Sequence, residues 1–126
     1  MSATPGDLLT EAQSLSTEMN KCEARRRTVI GRAYYAAYHA LLSAAAREGY
    51  RYGRENGRAP GSHENLIEWA IHHGDSKSLT QGAVALRRLK NQRAKADYHL
   101  NVTVSPGDAQ TSLTKAVHLI AALPAA

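Results

Sequence analysis

Arg93, Asp97, Tyr98 and His99 lie close together near the end of one predicted helix, and their types suit chemistry on a phosphate. In that helix Leu86, Leu89, Arg93, Ala96 and Leu100 follow the spacing of a single buried stripe, so an arginine occupies a position that should be apolar. Arginine is seldom buried without a partner. Asp97, one turn on, can supply an intrahelical ion pair that also holds Tyr98 and a neighbouring helix, with His99 exposed near the helix end. The alternative is RNA cleavage without a metal. That reaction needs a base for the 2′-hydroxyl proton, an acid for the leaving 5′-oxygen, and a fixed cation for the charge that builds on the phosphate oxygens. An imidazole titrating near pH 6.5 suits the first two tasks, and a guanidinium with parallel donors suits the third. One chain carries one such set, so two copies about a twofold axis would complete the site. Six residues along an ideal helix separate Arg93 and His99 by about 120° in azimuth. The two can share a phosphate only if the helix stops or distorts there, or if the sets cross between subunits. Asn101, Val102 and Thr103 are poor helix formers, which favours a stop near His99.

The elements that must carry these residues are helices. Thr4-Pro5-Gly6-Asp7 and Ser105-Pro106-Gly107-Asp108 repeat one start signal: a hydroxyl cap, proline at the first helical position, an acid at the third. The first predicts a helix through Leu8, Ala12, Leu15 and Met19, the second one through Ala109, Leu113, Ala116, Ile120 and Leu123. Between them, residues 21–50 read as a long helix with Ile30, Tyr34, Ala37, Leu41 and Ala45 on its apolar face. Arg25, Arg32, Tyr35 and His39 share the opposite side. The segment from Arg51 to Gly61 is rich in glycine and charge and has no period, so it reads as a surface loop. Ser62 starts a short helix through Leu66, Ile67, Ala70 and Ile71 that stops near Gly74, and residues 75–78 restart the chain into the helix bearing Arg93. Only residues 101–104 hint at a strand, too short to build a sheet. The expected fold is all-α, an antiparallel bundle of four to five helices forming a single domain over residues 1–126.

Composition narrows the function. The chain has 126 residues, a formal charge of +5 and no phenylalanine, and its alanine richness implies closely approaching helices. No apolar run is long enough for a membrane span and the first residues do not resemble a secretory signal, so the expected location is cytoplasmic, with no membrane partner. Cys22 stands alone and can form neither an internal disulfide nor a metal cluster. Positive charge is concentrated: residues 21–58 hold nine bases against three acids, and residues 87–99 hold five against one. If these segments pack side by side they form a phosphate-attracting face; otherwise they are two solvated helix faces. His72 and His73 suit a helix C-terminus, Glu68 and His72 have the spacing of a single metal-ligand pair, and His118 reads as a surface residue. No Gly-rich phosphate loop, serine nucleophile motif or paired zinc ligands occur, so no cofactor and no metal are expected.

Gly31-Arg-Ala-Tyr-Tyr-Ala-Ala-Tyr-His-Ala-Leu-Leu42 resembles the first signature of HEPN domains, residues Leu89 to Leu100 resemble the second, in which Arg-x-x-Ala-Asp-Tyr follows a leucine-rich turn, and Gly61-Ser-His-Glu-Asn-Leu-Ile67 resembles the short helix between them. The resemblance covers most of the chain in the same order. It implies a helical bundle that commonly dimerises and places an Arg-x4-6-His motif from each protomer in a basic cleft. Many HEPN proteins are metal-independent endoribonucleases acting as toxins or in phage defence; others bind a nucleotide or pair with a small nucleotidyltransferase. Arg93 and His99 match the motif and would be catalytic, Asp97 and Tyr98 would support them, and Arg32, Tyr35 and His39 match the first signature and would line the cleft, with RNA as the substrate.

Overall fold

The computed structural model describes residues 4–18, 22–51, 62–72 and 76–124. Met19, Lys21, His73, Gly74, Asp75 and the segment 52–61 lie outside the described residues, and with them the expected loop and the expected cap at His73. Among the described residues five helices follow one another: α1 (Pro5–Ser16), α2 (Glu23–Arg47), α3 (Ser62–His72), α4 (Lys77–Tyr98) and α5 (Pro106–Ala122). No strand occurs among the described residues, so the fold is an all-α bundle, and none of the described helices is long and apolar enough to cross a membrane.

Both repeated start signals act as read. Thr4 and Asp7 exchange two hydrogen bonds, the Asp7 amide to Thr4 Oγ1 at 3.1 Å and the Thr4 amide to Asp7 Oδ2 at 2.9 Å. Ser105 and Asp108 repeat the pair at 3.0 and 2.9 Å, and the hydrogen bond from the Ser105 amide holds the Asp108 carboxyl below its ordinary range. Each pair satisfies amides that a helix start leaves without partners. At the other end of α2, Gly49 takes φ +105° while the Tyr50 and Gly49 amides bond back to the carbonyls of Ala45 and Ala46. That left-handed position favours glycine, and it turns the chain so that Tyr50 is buried beyond the helix.

Cross-helix contacts fix the directions. Near the start of α2, Arg27 reaches the end of α4, and Gly82 near the start of α4 lies against Leu41 late in α2, so these helices run antiparallel. Glu64 pairs with Arg87 and Lys90 while Thr80 lies beside Ala70, which makes α3 and α4 antiparallel as well. By contrast, Arg26 contacts Val104 before α5 and Arg47 contacts Pro124 after it, so α2 and α5 run parallel.

The expected face of α2, Ile30, Tyr34, Ala37, Leu41 and Ala45, is buried. So is a second stripe, Val29, Ala33, Ala36, Ala40 and Ala44, because α2 packs against every other helix. Small side chains let it be enclosed from several sides at once. The stripe of α4 holds at Leu86, Leu89 and Ala96, all buried, but fails at Leu100, which is 76% exposed. The helix ends at Tyr98, so the register that would have turned Leu100 inward is lost two residues earlier.

Candidate phosphate-handling site on the α2–α4 face

Arg93 is held by aromatic walls. Its Cζ lies 5.8, 5.2 and 5.8 Å from the ring centroids of Tyr34, Tyr35 and Tyr98, all within the range of cation–π attraction. Nη2 donates to the Tyr35 hydroxyl at 2.9 Å. Nε lies 2.9 Å from Asp97 Oδ2, yet its N–H is not aimed at that oxygen, so the contact is an ion pair rather than a hydrogen bond. With its side chain 20% exposed, the guanidinium keeps a fixed orientation at the edge of the surface. The inward arginine of the α4 stripe is therefore joined to its own acid, as the structural reading expected, and also to α2.

Beside it, a groove of about 430 Å³ runs along α2 between α1 and the end of α4. Arg32, Tyr35, His39 and Asp97 all line it, together with Leu8, Arg27, Thr28 and Gly31. The exposed side of α2 and the acid of α4, far apart in sequence, thus share one concavity. Arg32 has no ion-pair partner among the described residues and leaves a solvated cation there.

Residues 99–102 form a turn at the end of α4, and Arg27 holds it. Its Nη1 donates to the carbonyl of Ala96 at 2.7 Å and to those of Lys95 and His99 at 3.3 Å. Its Nη2 donates to the Val102 carbonyl and, at 3.2 Å, to Glu23 Oε1. Glu23 Oε1 also accepts the Val104 amide at 2.6 Å, the main reason its carboxyl titrates below its ordinary value. Arg27 thereby satisfies carbonyls that the end of α4 would leave bare. Sequence reading counted Arg27 only as part of a basic block, since nothing local marks a contact to a distant turn.

His99 sits on that turn, exposed, with φ −110° and ψ 70°. The expected helix stop is present. Its ring is not among the residues lining the groove and has no side-chain partner among the described residues. Tyr98, 70% exposed, precedes His99 in the chain and brings its ring to 5.8 Å from the Arg93 Cζ.

A second imidazole, His63 in the first turn of α3, belongs to the same neighbourhood and was read from sequence only as part of a short helix. It stacks on Tyr38 with ring centroids 4.2 Å apart, and its Nδ1 lies 2.5 Å from the Tyr34 hydroxyl. Burial lowers its pKa, helped by the charges of Arg93, Lys90 and His39, and burial also pushes the Tyr34 phenol well above its ordinary value. Its only legible signal was a histidine beside a helix start.

Among the described residues the α2 part of the first basic block packs beside α4, which carries the second, but much of their charge is already matched. Arg87 binds Glu64 and Glu68 at 2.8 and 2.6 Å, and Lys90 binds Glu64 at 2.8 Å, fastening α3 to α4. Glu68 and His72 pair with each other at 3.1 Å, and among the described residues no three acidic, histidine or cysteine side chains converge as a metal site requires. Comparison of the chain with protein-family models, curated proteins and solved structures finds no match.

Proposed function

We propose that this chain is a HEPN-type protein that, as a cytoplasmic homodimer, binds RNA along the α2 groove and cleaves it without a metal, acting as a toxin or phage-defence effector. The observation that carries the proposal is the end of α4. The helix stops at Tyr98, His99 lies on a turn clamped by Arg27, and the azimuth that would separate an in-helix His99 from Arg93 no longer applies.

In this reading Arg93 binds the scissile phosphate and stabilises the charge that develops on its oxygens, for which its fixed plane is suited. His99 takes the proton from the 2′-hydroxyl, whose oxygen attacks phosphorus, and an imidazolium returns a proton to the departing 5′-oxygen. The products are a 2′,3′-cyclic phosphate and a 5′-hydroxyl. Asp97 orients Arg93, Tyr98 covers it, and Arg32, Tyr35 and His39 line the path of the strand. Two copies meeting near Tyr98 and Leu100, both strongly exposed, bring a second set of the same groups to the cleft.

One observation favours a second reading. Arg93 is already engaged by Tyr35 and Asp97 and the His99 ring lies outside the groove lining, which suits a non-catalytic module that binds a nucleotide or a partner nucleotidyltransferase. The two readings separate on His99→Ala. Cleavage of a generic RNA in EDTA should fall at least about 100-fold with an unchanged circular dichroism melt if His99 is the acid and base. An unaltered rate, or no cleavage by the parent protein, leaves the binding module.

A further inference from the structure

His63 and Arg93 come from different helices yet share two rings. Tyr34 and Tyr35 cover the guanidinium at 5.8 and 5.2 Å, and the same rings lie 5.4 and 6.1 Å from the His63 imidazole, tilted and edge-on. Tyr38 closes the other side of the imidazole by stacking. The ring is thus fixed in plane, with the Tyr34 hydroxyl against its Nδ1. Three arrangements allow that contact: a phenol donating to a neutral ring, an imidazolium donating to the phenol oxygen, or a neutral ring donating to that oxygen from Nδ1. The second would place a further cation beside Arg93 and Lys90 of α4 and next to His39 of α2, and the carboxylate of the adjoining Glu64 is already bound by Lys90 and Arg87. The third would leave the hydrogen of the buried Tyr34 phenol without an acceptor among the described residues, so the first is favoured: Nδ1 accepts, and the hydrogen of the neutral ring sits on Nε2. That nitrogen has no hydrogen-bond partner among the described residues, and it is not counted among the buried polar atoms left without one.

We infer that His63 is a phosphate-binding residue, presenting Nε2–H as a neutral donor to the oxygens of the phosphate that Arg93 holds. The inference rests on the reading of Arg93 as the phosphate ligand. It also assigns the two imidazoles different work. His63 cannot take the 2′-hydroxyl proton, because Nε2 is already protonated and Nδ1 is occupied by Tyr34, whereas exposed His99 keeps both nitrogens available. A neutral donor beside the guanidinium adds directionality to phosphate binding without adding a second charge to a crowded cationic site.

The test uses the full chain labelled with nitrogen-15 at histidine and titrated with inorganic phosphate. In the free protein the His63 resonances should show the Nε2–H tautomer, and phosphate should shift them while leaving His72 and His118 in place. Removing both members of the buried hydrogen bond, Tyr34→Phe with His63→Phe, keeps the ring packing and leaves no orphaned phenol. That double variant should melt near the parent and bind phosphate about tenfold more weakly. Finding the Nδ1–H tautomer, or parental phosphate affinity in a folded double variant, overturns the inference. Arg93→Ala separates the two levels: if it abolishes phosphate binding while the double variant does not, only the role of His63 fails. If Arg93→Ala binds phosphate like the parent, or the parent binds none, the underlying reading fails and His63 falls with it.

Discussion

Arg93 and Arg88 stand on the same helix, and the molecule treats them differently. Toward α2, Arg93 is mostly buried among Tyr34, Tyr35 and Tyr98, tied to the Tyr35 hydroxyl and to Asp97, with His63 close behind. Toward α5, Arg88 and Lys115 border a groove of about 260 Å³ with Asn91, Gln92, Thr111 and Asp108, and neither has an ion-pair partner among the described residues. Beneath that groove the Ser112 hydroxyl is buried without a hydrogen-bond partner. Both faces are basic, but only one presents its charge in a set direction. A guanidinium already immobilised by aromatic rings loses little rotamer freedom when a phosphate arrives, whereas an exposed arginine or lysine must be ordered on binding. Orientation, more than net charge, distinguishes the two faces.

The comparison breaks most easily at Arg27, whose side chain is 12% exposed and whose donors close the end of α4. Arg27→Ala leaves the Ala96 and Val102 carbonyls without that partner and should cost about 3 kcal/mol in urea denaturation. A cost no larger than that of Arg88→Ala would mean the α2 side is not the fixed one. Next in size is Tyr35→Phe, which keeps the ring over Arg93 and removes only its hydroxyl acceptor. A loss of about 1 kcal/mol is expected, together with a rise in the crystallographic disorder of the guanidinium.

Stability against pH sharpens the contrast further. His63 titrates below its ordinary value in the folded protein, through burial and the charges of Arg93, Lys90 and His39. The unfolded chain then binds this proton more readily than the folded one, so stability should fall as pH drops through about 6.5 and be fully present above it. Glu64 and Glu23, held low by their hydrogen bonds, contribute stability that is lost only in a more acidic range. The double variant Tyr34→Phe with His63→Phe should flatten the limb near neutrality in denaturation series across pH; an unchanged limb would remove His63 from the account. Smallest of all, Arg88→Ala and Lys115→Ala should each change stability by less than about 0.5 kcal/mol and, under the proposed function, leave RNA cleavage in low salt within about twofold.

Much of the frame was legible because it is local. The repeated Thr-Pro-Gly-Asp and Ser-Pro-Gly-Asp starts, the Arg93–Asp97 pair one turn apart, and the helix stop before Asn101 all depend on residues within a few positions of each other. The same reading misplaced Leu100, since a stripe extrapolated past Tyr98 assumes a helix that has already ended. It missed Arg27 and His63 for a different reason. Arg27 acts on carbonyls of a turn some seventy residues away, and backbone carbonyls leave no mark in a sequence. His63 takes its place from contacts with Tyr34 and Tyr38, and its depressed proton affinity from burial and charges on two other helices.

By itself, then, the order of residues determined that this protein is built of capped helices, which faces of α1, α4 and α5 turn inward, and that an arginine intrudes on an apolar stripe. Tertiary packing alone decided that α2 is enclosed from several sides, that the intruding guanidinium meets three tyrosines, and that one imidazole is stacked among tyrosines while another is exposed on a clamped turn. Periodicity and capping are short-range properties of the backbone and can be read along the chain. The direction of a donor and the charge of a buried ring depend on what surrounds them in space, and only the folded arrangement supplies that.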